Sequence, residues 1–183
     1  MSSASDAVST YIRAKDGNRP FLLRRAFAED AALEMVVKTD AISFPSSAKG
    51  LCAIEEILVR RFGVDYENIF TFCLSQPSEV DQVHFLCHWL VGMSARANGQ
   101  IRVGCGRYDW YFGKEGRVEK LAITIDLMNV LSPTELLASM SWLSSLPYPW
   151  CSPDQALNGM PTTEGFAEIA NYVKQVRAIA PDQ

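Results

Sequence analysis

The residues best suited to chemistry in this 183-residue chain are few and widely spaced. Its two histidines, His84 and His88, sit four positions apart in an apolar run with strand character. Such residues share one face of a strand. At ~3.3 Å per residue they lie about 13 Å apart, too far to ligate one metal ion together. Either imidazole titrates near neutrality and suits a general base. If their face is the concave side of a bent sheet, His88, nearer mid-strand, is the candidate base. The alternative is a histidine bonded to a buried carbonyl, or one on the convex side at a dimer contact. Asp40 follows the first expected strand, where its carboxylate either reaches a pocket rim or caps its own loop. Asp109 alternates with Tyr108 and must address the opposite face. Asp126 ends the last expected strand and orients its exit. The five cysteines are odd in number and form no C-x-x-C pair, which reads as reduced, buried thiols of a cytoplasmic protein. No clustered Cys/His spacing suggests a metal, and no motif suggests a cofactor.

Helices occupy the first third of the chain. Val8, Tyr11, Ile12 and Lys15 recur at three- and four-residue steps, predicting a helix from about Ser5 to Lys15 that stops at Gly17. Tyr11 on that stripe is either a core tyrosine with a satisfied hydroxyl or a hydrogen-bond donor to a ligand. Pro20 opens a second helix with Leu23, Ala26 and Phe27 inward. A short strand follows at Ala32–Thr39, then a third helix with Leu51, Ile54, Ile57, Leu58 and Phe62 on one face and Gly63 as its stop. Strands are expected at Asn68–Ser75, Gln82–Arg96, Gln100–Phe112 and Arg117–Leu127, with turns at Gln76–Ser78, Asn98-Gly99 and Gly113–Gly116. Gly92, Gly104 and Gly106 inside the long strands mark bulges or bends. Helices then strands is an α+β order. From Ser132 the pattern changes to a helix, a proline-rich stretch and a final helix at Thr163–Ile179. This apolar tail, with Trp142, Tyr148 and Trp150, is either a lid over a pocket or a packed extension.

Bulk properties narrow the field. An apolar share of 48% with 21% charged residues suits a globular domain with a real core. A net charge of −4 without a basic run excludes a phosphate-tracking nucleic-acid surface. The pairs Arg24-Arg25 and Arg60-Arg61 are isolated and read as solvated helix faces. No run of ~18 apolar residues spans a membrane, and the start of the chain lacks secretory-signal character.

Three phrases carry a family resemblance. Tyr11, Asp16-Gly17 and Phe27–Ala31 in the opening segment, KGLCAIEEILVRRF in the third helix, and DWYFGKEGRVEKL in the hairpin resemble the nuclear transport factor 2-like superfamily, which includes ketosteroid isomerases and SnoaL-type polyketide cyclases. The resemblance covers roughly 5–131. It implies a curved antiparallel sheet wrapped around helices to form a cone, cystatin-like, over 1–131, with a C-terminal helical extension over 132–183. It also implies a homodimer formed through the sheet. By ungapped alignment Tyr11 falls on the family's helix-1 tyrosine, Tyr108 on its oxyanion-hole aspartate, and Met35 on its proton-moving aspartate; Ile123 stands where the cyclases keep an acid/base aspartate. The resemblance thus implies a two-phenol donor pair, Tyr11 and Tyr108, with His88 or Asp40 as base. Three functions stay open: a cofactor-independent isomerase, cyclase or dehydratase of a hydrophobic carbonyl compound; a non-catalytic binder of a hydrophobic small molecule; and a protein-interaction scaffold.

Overall fold

The computed structural model describes residues 3–78, 82–113 and 115–179. Helix α1 (Ala4–Asp16) is opened by a capping box in which Ser3 and Asp6 satisfy each other's backbone N–H groups. Its buried stripe of Val8, Tyr11, Ile12 and Lys15 is the one that the spacing predicts. A single 3₁₀ turn (Pro20–Leu22) and α2 (Leu23–Ala26) follow, and the chain is already extended at Phe27. The expected second helix is therefore shorter and the first strand longer. Strand β1 (Phe27–Val37) starts early because Phe27 pairs with Val118 before a bulge resets the register at Ala32. Strand β2 (Ser47–Lys49) pairs antiparallel with β1.

The third helix is one continuous rod in three parts: α3 (Leu51–Glu55), π-helical turns at Glu56–Arg61, and α4 (Phe62–Asp65). It runs through Gly63, where the sequence suggested a stop. Strands β3 (Tyr66–Cys73), β4 (His84–Ala95), β5 (Ile101–Phe112) and β6 (Val118–Leu131) complete one sheet in the order β2-β1-β6-β5-β4-β3. Every neighbouring pair is antiparallel except β1 with β6, so the sheet is mixed rather than wholly antiparallel. The Asn98-Gly99 turn joins β4 to β5 with Gly99 at φ 70°, as its chemistry demands. The turn expected at 113–116 includes residue 114, outside the described residues.

Period-2 alternation divides the core in two. One side of the sheet faces α1 and the third helix, burying Leu33, Met35, Trp89, Tyr108, Trp110, Leu121 and Ile123. The other side buries Phe72, Leu90, Ile101, Val103 and Cys105 against the C-terminal segment. A bulge in β6, with Asp126 the extra residue between the Cys105–Leu127 and Gly106–Ile125 pairs, bends that strand. A Cβ at Gly106 would lie 1.9 Å from the carbonyl oxygen of Thr124, so this close crossing requires glycine.

The C-terminal segment holds α5 (Leu136–Ser145), α6 (Pro153–Leu157) and α7 (Ala167–Ile179). These helices pack on the outer, convex face, so of the two alternatives the tail is the packed extension and not the lid. Leu143 seats so tightly that a Cβ on Gly92 would come within 2.2 Å of it. The stretch around Trp150 forms a short bridge to Cys73, covering the free edge of β3.

Candidate functional site

The inside of the cone holds a cavity of about 40 Å³. Its walls come from α1 (Tyr11, Lys15), β1 (Met35), β4 (Trp89, Val91, Met93), β5 (Tyr108) and β6 (Ile123, Ile125, Met128), closed above by Ile42, Phe44, Leu58 and Phe62. It is roomy enough for ordered water, and buried side chains fill the cone around it.

Tyr11 and Tyr108 meet here. Their ring centroids are 5.7 Å apart and edge-on, within an aromatic floor completed by Trp110 and Trp89. The β5 register puts Tyr108 opposite Cys87 and Ile123, with its side chain inward and Asp109 outward. Burial pushes both phenols well above their usual range, so both are neutral donors at any physiological pH. The two hydroxyls lie close enough to influence each other's ionisation.

Lys15 is the polar residue that the sequence reading passed over. It lies one helical turn from Tyr11 and is 6% exposed. Its ammonium donates to Asp16 Oδ1 at 2.8 Å and to Thr71 Oγ1 at 2.7 Å. Its Nζ also stands over the Phe62 ring, 4.7 Å from the centroid, and Lys15 lines the cavity. Asp16 is fully engaged: Thr71 donates through N at 2.7 Å and Oγ1 at 2.8 Å, and Tyr148 of the extension donates at 3.0 Å. This carboxylate, which accepts several hydrogen bonds, is the ion-pair partner of the Lys15 ammonium. Trp89 adds a buried indole N–H with no partner among the described residues. The cue for Lys15 was present: it falls on the apolar stripe of the first helix.

The other candidates lie elsewhere. His88 stands on the convex face, where Nδ1 is 2.9 Å from the Tyr172 hydroxyl, which itself donates to Asp126 at 3.0 Å. It cannot serve as base to Tyr11 and Tyr108, because strand alternation puts the sheet between them. Burial, then Arg107, lowers its pKa against the pull of Asp126, so the imidazole is neutral at pH 7. His84 is on the same convex face, bonded to Asp109. Asp40 lies exposed on the loop at 38–46, not on the wall of this cavity but on that of an adjoining cleft of about 390 Å³. Met35 and Ile123, at the two lost carboxylate positions, line the cavity. Among the described residues no three His, Cys, Asp or Glu side chains gather to hold a metal ion. No described helix is long and apolar enough to cross a membrane.

No family model and no curated protein matches the sequence. Solved structures do. An NTF2-like protein of unknown function from Exiguobacterium sp. 255-15 superposes with a TM-score of 0.50 at 15% identity, over 66% of this chain and 98% of its own. The chain has the nuclear transport factor 2-like fold. Two further structures of this fold match: a hexachlorocyclohexane dehydrochlorinase, with TM-score 0.57 and 14% identity over 69% of this chain and 85% of that one; and a Mycobacterium tuberculosis protein in complex with estradiol-17beta-hemisuccinate, with TM-score 0.53 and 14% identity over 66% and 92%. Each leaves about a third of this chain unmatched.

Proposed function

We propose that the cone binds a small apolar molecule through a carbonyl-type oxygen and does not run carboxylate-based proton transfer. One observation carries this reading: every polar side chain on the cavity wall can donate a hydrogen bond. The phenols, the Lys15 ammonium and the Trp89 indole all donate, and no carboxylate or imidazole lines the cavity. The Lys15–Asp16 pair is formally neutral, so the site favours a neutral acceptor over a carboxylate, whose charge would be buried uncompensated. The estradiol derivative bound by one structure of the same fold supports an apolar ligand. For a homodimer, the face left open is the uncovered half of the convex sheet, where Val36, Leu86 and Tyr111 are exposed.

A thermal-shift screen tests the reading, comparing neutral apolar ketones and enones with matched carboxylates and hydrocarbons. A ligand at 100 times its Kd adds about 2.7 kcal/mol, and each kcal/mol raises the midpoint by roughly 2–4 °C in a chain of this size. Ketones should stabilise, and Tyr108→Phe should weaken the shift. Equal shifts from hydrocarbons would remove the role of the donors. The small volume of the cavity favours a second reading, a cone filled by its own side chains whose surface recognises a protein; absence of any stabilising ligand would support it.

A further inference from the structure

A cleft of about 630 Å³ opens where α2, the start of β1, the end of β2 and the first turn of the third helix meet. It shares no wall residue with the cavity of the cone. In a chain of net charge −4 it gathers three cations: Arg24 of α2, Lys49 of β2, and Arg117 just before β6. Among the described residues Arg24 and Lys49 form no ion pair, and Arg117 meets only the exposed Glu115, at 3.8 Å.

Two further features converge here. The helical rod that runs from Leu51 to Asp65 begins on this wall. Gly50 precedes it at φ 88° and places no side chain over its first turn. The Gly50 carbonyl accepts from Ile54 N–H at 3.1 Å, but the N–H groups of Leu51, Cys52 and Ala53 have no acceptor among the described residues. Such groups favour an anion.

The second feature is Glu55, which lines the cleft and is only 6% exposed. The Arg60 guanidinium reaches its Oε2 at 3.4 Å, while Oε1 is buried with no partner among the described residues. A buried carboxylate oxygen left without a donor is costly. Glu29, on the same wall, forms no ion pair among the described residues either. The cleft therefore holds unmatched charge of both signs.

We infer that this cleft is a second ligand site, separate from the cone, and that it takes a small phosphate monoester carrying a primary ammonium group. The phosphate accepts from Arg24, Lys49, Arg117 and the N–H groups that open the rod. These donors outnumber what the two oxygens of a carboxylate accept, and the three terminal oxygens of a monoester suit them better. The ammonium donates to Glu55 and is drawn further by Glu29. A phosphate alone would meet these two carboxylates as like charges. The volume is that of an ordinary small-molecule pocket.

Calorimetric titration of the full chain tests the site, with O-phosphoethanolamine, inorganic phosphate and ethanolamine as probes and glycerophosphoethanolamine as the diester found in lipid headgroups. O-Phosphoethanolamine should bind about tenfold more tightly than inorganic phosphate, the worth of one charged hydrogen bond, with ethanolamine and the diester weaker still. Glu55→Gln should remove the advantage of O-phosphoethanolamine without weakening inorganic phosphate, a result that general loss of structure would not give. Lys49→Gln with Arg117→Gln, both at exposed positions, should weaken both phosphates, and Tyr108→Phe in the cone should change neither. Equal affinity for O-phosphoethanolamine and inorganic phosphate in wild type, or equal losses of both in Glu55→Gln, would overturn the role of the carboxylate and with it the ligand class. A diester bound as tightly as the monoester would also overturn that class, in favour of a lipid headgroup. No saturable binding of any probe to wild type would overturn the site, leaving the reading of the cone untouched.

Discussion

The two faces of this one sheet are finished differently. On the convex side the C-terminal helices bury Leu90, Ile101, Val103 and Cys105 so closely that Leu143 leaves no space for a Cβ on Gly92. On the concave side the helices leave a small gap, and on its wall Trp89 carries a buried indole N–H with no partner among the described residues. Close packing is what stability alone produces, though the buried Ser139 hydroxyl of α5 also has no partner among the described residues. On the proposed reading the concave gap is the ligand site and the extension supports it.

Support reaches the site through Tyr148. Its hydroxyl holds Asp16, which holds Lys15 at the cavity wall. Lys15→Met should therefore have the largest effect, about 3–5 kcal/mol, because it leaves the Asp16 carboxylate buried without its counter-charge. Urea unfolding measures this, and adding Asp16→Asn should restore part of the loss. A change under 1 kcal/mol would mean that the pair is not buried as described.

Paired substitutions at adjacent residues of β4 sharpen the comparison. Gly92→Ala on the convex side should cost about 1–3 kcal/mol by overpacking Leu143. Val91→Ile, one residue away on the concave side, adds a methylene where there is space and should be neutral or stabilising by up to about 1 kcal/mol. Similar losses at both sites would erase the distinction between the faces.

The smallest effect concerns the polar end of the convex contact. His88 has its pKa lowered in the fold, chiefly by burial. The unfolded chain then binds more protons than the folded one as pH falls below the ordinary value of about 6.5. This contribution is present above that pH and is lost on acidification below it. His88→Gln should flatten the stability profile between about pH 6.5 and 5 while leaving ketone binding unchanged. A steeper acid limb in the variant would contradict this sign.

Much of this was legible in the sequence, and the exceptions share a physical cause. Alternation along β5 separates Tyr108 from Asp109, and the helix-1 stripe carries both Tyr11 and Lys15. Three features depended on distant partners. The parallel pairing of β1 with β6 joins segments some ninety residues apart, and it converts Phe27 from the expected helix to a strand. The inner and outer faces of β4 are both apolar over much of its length, so alternation could not say which face His88 shares. The LLASMSWLSS helix is apolar on most sides, so its sequence fits a lid and an outer layer equally well. Lys15 was passed over because a lysine on an apolar stripe ordinarily extends its ammonium to water; here Asp16 and Thr71 meet it inside.

The central claim is that the floor of the cone presents donors to a ligand carbonyl. The most direct measurement is the ¹³C NMR shift of a naphthyl ketone labelled at its carbonyl carbon, bound to wild type and to Tyr108→Phe. The account predicts a downfield carbonyl shift on binding, the signature of strong hydrogen-bond donation, and its partial reversal in Tyr108→Phe. A bound ketone whose carbonyl resonates as it does in hydrocarbon solvent, unchanged by the substitution, would contradict it.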